Sequence, residues 1–446
     1  MSKEAKVPAT RLSRMARMGG LAAGLAGNMA LTGAGQLASG KRPQARDLFM
    51  TPANATRLRN QLSQMRGAAM KVGQMLSMEA SDLMPPEFGE IIAALRSDAH
   101  IMPGPQLKAQ LTASLGAGFM QHFKRFDVHP IAAASIGQVH RATLKDGREV
   151  ALKVQYPGVR DSIDSDIRNL GTLIKLSGML PRGVDLSDLL EEARLQLHEE
   201  ADYTREADYL QRYRAALSDD TRFAVPELIE ELSGTDLLAM EFMPGGPIEE
   251  LEQADQETRD RVATELIALT LRELFEFELM QTDPNFANYR YNKGSGRLIL
   301  LDFGATRVFA PEMAPQYRAL LDAGLRADRA ASRTAMLDIG LYDAGIPDAV
   351  ETVLLDLFAM AMEPLRNEAM YDFGDTDLLG DLRAAGMDMA EDRAYVPLPP
   401  IDSLFLQRKI GGMYLLATRL RARVNMRALL EPYASSSETS RPARAL

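Results

Sequence analysis

Met280-Gln281-Thr282-Asp283-Pro284-Asn285-Phe286-Ala287-Asn288, followed after eleven intervening residues by Leu300-Leu301-Asp302-Phe303-Gly304, is the stretch from which the rest of the chain is read. Asp283 and Asn288 lie five positions apart, and Asp302 ends an apolar run at 298–301 that has the texture of a short strand. Two carboxylates and an amide offer only hard oxygen donors, the kind magnesium takes while phosphate oxygens and water fill its remaining positions. Gly304 suits a sharp turn close to such phosphates. Taken singly, Asp283 is a turn residue before a proline and Asp302 a strand end.

The order of elements upstream changes that balance. Val150-Ala151-Leu152-Lys153 places a lysine at the end of a strand reached through a tight turn at Asp146-Gly147. Alone, Lys153 is an exposed charge on an edge strand. Lysine, then D-x-x-x-x-N, then Asp-Phe-Gly is the sequence of parts with which protein kinases hold ATP and Mg2+. In that pattern Lys153 takes the α/β-phosphates, Asp283 orients or deprotonates the nucleophile, and Asn288 and Asp302 ligate magnesium. The expected fold class is α+β, a two-lobed protein-kinase-like fold with an added N-terminal helical extension and C-terminal helices.

Composition agrees with a large folded chain. At 446 residues it exceeds what one core supports, and 46% hydrophobic with 25% charged residues excludes both a disordered chain and a polytopic membrane protein. Without cysteine there is no disulfide, thiolate nucleophile or cysteine-ligated metal. His100, His122, His129, His140 and His198 show no metal-ligand spacing and read as structural or exposed. The first 71 residues carry twelve Lys or Arg against two acids, so the net charge of -10 divides into about +10 there and -20 in the body. The body repels nucleic acid, which is not expected as a partner, and only the arm attracts anionic lipid.

The expected organisation is a basic, small-residue arm at 1–47, a helical extension at 48–117, a sheet-containing lobe with inserted helices at 118–245, and a helical lobe at 246–446. Residues 18–40 are uncharged, contain a GxxxG at Gly20 and Gly24, and suit a membrane-associated or self-associating helix, leaving a homodimer open. They read equally as a small-residue linker. A long charged helix is expected over 187–217, strands over 223–232 and 236–242, and a helix over 256–280. The residues closing the last of these strands, Glu241 and Met243, are expected to contact the nucleotide. Ala310-Pro311-Glu312 imitates a kinase substrate-platform motif but begins six residues after Gly304. It reads as a helix start with Pro311 in the first turn.

The charged helix offers acids to pair with Lys153. On one continuous helix Glu200 and Glu206 would sit roughly 120° apart, so they cannot serve one lysine. Glu206 is assigned to Lys153, and Glu200 and Asp202 to another cation.

Several less generic strings carry a resemblance. Lys71-Val72-Gly73-Gln74, Ala132-Ala133-Ala134-Ser135 and Glu200-Ala201-Asp202 resemble the KxGQ motif, alanine-rich nucleotide loop and ExD motif of the UbiB/AarF family. Residues 280–285 and Arg408-Lys409-Ile410-Gly411-Gly412 are similar to its eukaryote-style coenzyme Q branch. The resemblance spans about 48–433. It implies that Lys71, with Gly73 and Gln74 beside it, pairs with Glu200 and Asp202, and that Ala132, Ala133, Ala134 and Ser135 lie over the nucleotide. It also implies an ATPase supporting ubiquinone biosynthesis at a membrane surface, cytoplasmic and peripheral to the inner membrane, with the mitochondrial matrix face of an inner membrane as the alternative. Membrane lipid or quinone intermediates and other ubiquinone-biosynthesis proteins are the implied partners. A true kinase for a small molecule, lipid or protein, and a nucleotide-gated scaffold, are the alternatives.

Overall fold

The computed structural model describes residues 67, 68, 71, 72, 101–134, 136–177, 187–390 and 399–434. The basic arm, most of the helical extension including Gly73 and Gln74, and Ser135 lie outside the described residues. The chain divides into two compact units. One takes residues up to Arg212 together with Pro226–Met243, and the other takes Tyr213–Val225 and the chain from Pro244 onward.

In the first unit, helix α1 (Gly104–Leu115) starts after the extended Pro103, with Pro105 in its first turn where no N–H is needed, and it buries Leu107 and Leu111. Strands β1 (Phe123–Phe126), β2 (Ala132–Ala133), β3 (Gly137–Leu144) and β4 (Glu149–Gln155) follow, then helices α2 (Val159–Ser177), α3 (Ser187–Glu200) and α4 (Tyr203–Ala216). Strands β1, β3, β4 and the later β6 (Leu237–Glu241) form an antiparallel sheet in that order, with β2 also paired to β3. The β3–β4 hairpin turns at Gly147, whose φ of 96° a side chain would oppose. Alternation along the strands divides the faces. Val150, Leu152, Val154, Ala142, Leu144, Leu237 and Ala239 pack with α1 into the core. Burying each of the Val and Leu side chains stabilises the unit by about 1.5–3 kcal/mol. His140 sits on this core face, taking a hydrogen bond from Gln138 Nε2 and donating through Nδ1 to the Asp127 carbonyl. Burial lowers its pKa and keeps it a neutral structural ring.

The expected single helix over 187–217 is two. Between α3 and α4 the chain breaks at Ala201-Asp202: Gln155 Nε2 donates to the Ala201 carbonyl, Tyr203 N–H donates to the Thr235 carbonyl, and Asp202 caps α4 by accepting from Thr204 N. Tertiary hydrogen bonds override a helix propensity that runs through the break. The expected strand over 223–232 is also shorter. Only β5 (Phe223–Ala224) is a strand, and Glu230–Leu232 is a 3-10 turn.

In the second unit β5 pairs in parallel with β10 (Arg297–Leu300), which continues to β9 (Tyr289–Asn292) and β7 (Gly246–Pro247). A two-stranded ladder joins β8 (Leu279–Gln281) to β11 (Thr306–Val308). Helix α5 (Gln256–Phe275) is capped by Asp255, which accepts from Thr258 N. It ends before the expected 280 because Glu278, at φ 50°, turns the chain into β8. Helices α6 (Met313–Leu325), α7 (Arg329–Ile339), α8 (Asp348–Met362), α9 (Leu378–Ala390), α10 (Ile401–Leu420) and α11 (Met426–Ala434) complete the unit. Pro311 lies two residues ahead of α6 rather than in its first turn, and Glu312 is the N-cap position. Among the described residues no helix is long and apolar enough to cross a membrane.

Asp220 fixes the entry to β5. It accepts from the Arg222 side chain and from Arg272 Nη1 of α5 at 2.7 Å. The Arg222 hydrogen bonds, with Arg272 alongside, outweigh partial burial and hold its carboxyl down to about 2. A depressed folded value stabilises above the unfolded pKa near 3.8 and is lost as pH falls through the folded one. Asp220→Asn is therefore expected to cost about 1 kcal/mol near neutrality, after allowance for solvent screening. In urea titrations the gap from the parent protein should close as pH falls from 4 towards 2.

Candidate active site

Lys153 lies on the β4 face opposite the α1 core, because Leu152 and Val154 on either side face inward. Its Nζ donates to both Glu206 oxygens at 2.8 Å and stands 5.2 Å from the centre of the Tyr203 ring. The lysine is 8% exposed and the glutamate 2%, so the charges are matched where water is largely excluded. Glu206 is in the first turn of α4, and Glu200 is the last residue of α3. The break between the helices, rather than rotation around one, directs them to different lysines. Glu200 Oε1 accepts from Lys71 Nζ at 2.5 Å. Asp202 is not brought to Lys71 by this contact; its carboxylate is the α4 cap.

The alanine-rich segment is a strand and turn. Ala132 pairs with Val139 and Ala133 with Gln138, and Ala134 N donates to the Gly137 carbonyl. Ala132 and Ala133 are exposed. Val139 also pairs with Lys153 across β3–β4, so Ala132 shares the Lys153 face of the sheet. Glu241 does not: it pairs with Val150 on the core side, is exposed, and accepts from Glu227 N. A side-chain role beside Lys153 is closed to it. Met243 is half-buried at the end of the first unit.

In the second unit the two motif segments are stitched together. Thr282 N and Oγ1 both donate to the Ala305 carbonyl, and Leu301 N donates to the Asn288 carbonyl. Asp283 and Asn288 are thereby held against the segment carrying Asp302. Asn288 Nδ2 faces the Asp283 carbonyl at 3.2 Å and Oδ2 at 3.3 Å, which turns its amide oxygen away from that carboxylate. Asp302 Oδ1 accepts from Gly304 N at 3.0 Å. The turn at Gly304 uses no left-handed backbone, so the glycine is not required there for a positive φ. Arg408 Nη2 of α10 donates to Asp283 Oδ1 at 2.8 Å.

Beneath this loop lies a buried polar network. Lys409 Nζ donates to the Gln281 carbonyl and the Tyr289 hydroxyl, each at 2.8 Å, and pairs with Glu273 Oε2 at 3.3 Å. Tyr213 donates to Glu273 Oε1 at 2.7 Å and accepts from Gln281 N. Burial alone would lower the Lys409 pKa, but Glu273 and Tyr289 outweigh it and keep the ammonium charged.

For magnesium, the donors available at Asn288 and Asp302 are oxygens, which fits the ion. Among the described residues no three His, Cys, Asp or Glu side chains form a metal cage.

A family model for the ABC1 atypical kinase-like domain matches residues 94–336. The mitochondrial atypical kinase COQ8 of Saccharomyces cerevisiae is 37% identical over 431 residues, covering 96% of this chain and 86% of that one. The mitochondrial atypical kinase COQ8B of Rattus norvegicus is 38% identical over 432 residues, covering 96% and 81%. Among solved structures, that of the Rv3197–erythromycin complex from Mycobacterium tuberculosis matches with a TM-score of 0.60 and 26% identity, over 86% of this chain and 97% of that one. The two-lobed, kinase-like α+β expectation agrees with these matches.

Motif spacing does not flag Lys409, Glu273, Tyr213 or Gln281. A signal existed: Lys409 falls on the same helical stripe as Phe405, Leu406 and Met413, all buried, so it is a charge on an apolar face. Removing it strands Glu273, 1% exposed, without its cation. Lys409→Met is expected to destabilise the protein by about 3–5 kcal/mol, and Lys409→Met with Glu273→Leu by less than the single change. Denaturant unfolding of the three proteins checks the order.

Proposed function

The chain belongs to the ABC1 atypical kinase-like family, and we propose that it is a magnesium-dependent ATPase acting at a membrane surface in coenzyme Q biosynthesis. The observation that carries the reading is the stitching of the Asp283–Asn288 loop to the Asp302 segment through Thr282–Ala305 and Asn288–Leu301. It gathers a carboxylate suited to orienting a nucleophile and two oxygen donors suited to magnesium.

In this reading Lys153, held extended by Glu206, takes the α/β-phosphates of ATP. Asn288 and Asp302 hold Mg2+, which supplies charge neutralisation on the phosphates when bound. Asp283 orients the attacking water. Lys71, tied to Glu200, and the Ala132–Ala134 strand and turn limit access of larger acceptors. Each Cβ in that segment keeps phosphates farther from backbone N–H groups than glycine would. Coenzyme Q enters through the COQ8 names of the relatives and the matching strings at 280–285 and 408–412. The membrane surface enters through the first 71 residues, which carry about +10 and for which anionic lipid is the natural partner. Lipid or quinone intermediates are then the molecules acted on, with other biosynthetic proteins nearby. By analogy with the mitochondrial relatives, the chain works peripherally on an inner membrane.

A kinase reading keeps one observation in its favour, the intact Asp283 to Asn288 spacing. Against it stands the shortness of the chain after Gly304, which enters β11 at Thr306 and α6 at Met313. The test is ATP hydrolysis with and without anionic liposomes, with labelled phosphate followed into protein and lipid. Hydrolysis that EDTA removes, that liposomes stimulate and that Asp302→Asn lowers at least about 100-fold is expected. Hydrolysis equal in Asp302→Asn overturns the reading, and label accumulating in an acceptor in place of free phosphate replaces it with the kinase one.

A further inference from the structure

The string Arg408-Lys409-Ile410-Gly411-Gly412 in α10 meets the Asp283 loop at three points. Lys409 Nζ holds the Gln281 carbonyl at 2.8 Å. Arg408 Nη2 holds Asp283 Oδ1 at 2.8 Å. Gly412 lies against Pro284 so closely that a Cβ there would stand 2.2 Å from Pro284 Cβ. Arg408 and Gly412 are one helical turn apart and share a stripe, with Lys409 beside it. One short stretch of helix therefore touches three of the four residues from Gln281 to Pro284.

We propose that this stretch is a clamp that sets the direction of the Asp283 carboxylate, with Arg408 as a positioning residue for it. The proposal rests on the reading of Asp283 as the group that orients the nucleophile. Without Arg408 the carboxylate keeps the longer 3.3 Å contact from Asn288 on Oδ2. With it, donors meet both oxygens, and rotation about the Cβ–Cγ bond breaks one contact or the other. The pair is no loose surface ion pair: its side chains are 14% and 25% exposed. A guanidinium has planar, directional donors where an ammonium is a point charge on a flexible stem, so arginine fixes an orientation that lysine would not. Gly412 is the other half of the device, because any side chain there pushes the loop off the helix and away from Arg408.

Misdirecting a reacting group by about 1 Å costs on the order of 100-fold in rate. Arg408→Ala is therefore expected to lower kcat for Mg-ATP hydrolysis by about 10–100-fold, with KM within about threefold, since Lys153, Asn288 and Asp302 keep their places. Arg408→Lys is expected to recover part of the loss. In an Asp283→Asn background, Arg408→Ala should add little, because its effect runs through that carboxylate. Amide hydrogen exchange, read without nucleotide, should rise over 280–288 in Arg408→Ala and stay unchanged over β3 and β4. Arg408→Gln, which keeps an amide donor, covers the case in which Arg408→Ala fails to fold; it should show the same changes in smaller degree.

Wild-type kcat and exchange in Arg408→Gln, or an equal loss from Arg408→Ala with and without Asp283→Asn, overturns the clamp. If the parent protein hydrolyses no ATP, the ATPase reading falls and the clamp is judged by exchange alone. Increased exchange confined to 280–288 then supports it, and exchange matching the parent refutes it.

Discussion

A single buried ammonium, that of Lys409, constrains much of the second unit. Taking a charge out of water costs several kcal/mol unless its hydrogen bonds are replaced. Here the replacements are the Gln281 carbonyl on β8, the Tyr289 hydroxyl on β9 and the Glu273 carboxylate on α5. None of these elements can shift far without exposing the cost. Asp283 is two residues beyond Gln281, so its loop inherits a fixed starting point. The same logic recurs in the first unit, where Glu206 answers Lys153 and Glu200 answers Lys71. In each case a cation and an acid from distant stretches of chain are paired out of bulk water, which makes each pair a statement about tertiary structure.

What could be read from the sequence divides along that line. The hairpin at Gly147, the strand ending near Asp302 and the Asp283 to Asn288 spacing are local, and local patterns of turn residues and alternation report them. Glu206 beside Lys153 was also legible, though for a different reason from the one the helical arithmetic supplied. The break at Ala201-Asp202 depends on Gln155 and Thr235, residues about 30 to 50 positions away that no window around the helix contains. The parallel pairing of Phe223-Ala224 with Leu298-Ile299 is similarly non-local, and it moved a segment expected in the 118–245 lobe into the other unit. Glu241 stands at the end of its strand with its side chain on the sheet face opposite Lys153. Strand alternation, counted from Leu237 and Ala239, places it on the core side, away from Lys153. The roles of Arg408 and Lys409 were hidden for a further reason: their string is recognisable, but a string names no contacts.

At Asp302 these constraints combine. Phe303 is 1% exposed, and its ring lies 4.9 Å from that of Tyr213, which is itself held by Glu273 and Gln281. Only two residues past Phe303 the chain approaches the β11 ladder, where Thr306 pairs with Gln281 and Val308 with Leu279. Asp302 thus lies between β10, which ends at Leu300, and a buried aromatic that leads into β11. Swinging the segment outward would expose Phe303, at about 1.5–3 kcal/mol for the side chain alone. It would also break ladder hydrogen bonds and loosen the partner strand that carries Gln281 to Lys409. A device that works by reordering the chain after Asp302 would have to undo the core of the unit first. The segment carrying the oxygen donors at this position is therefore held in one arrangement by the fold.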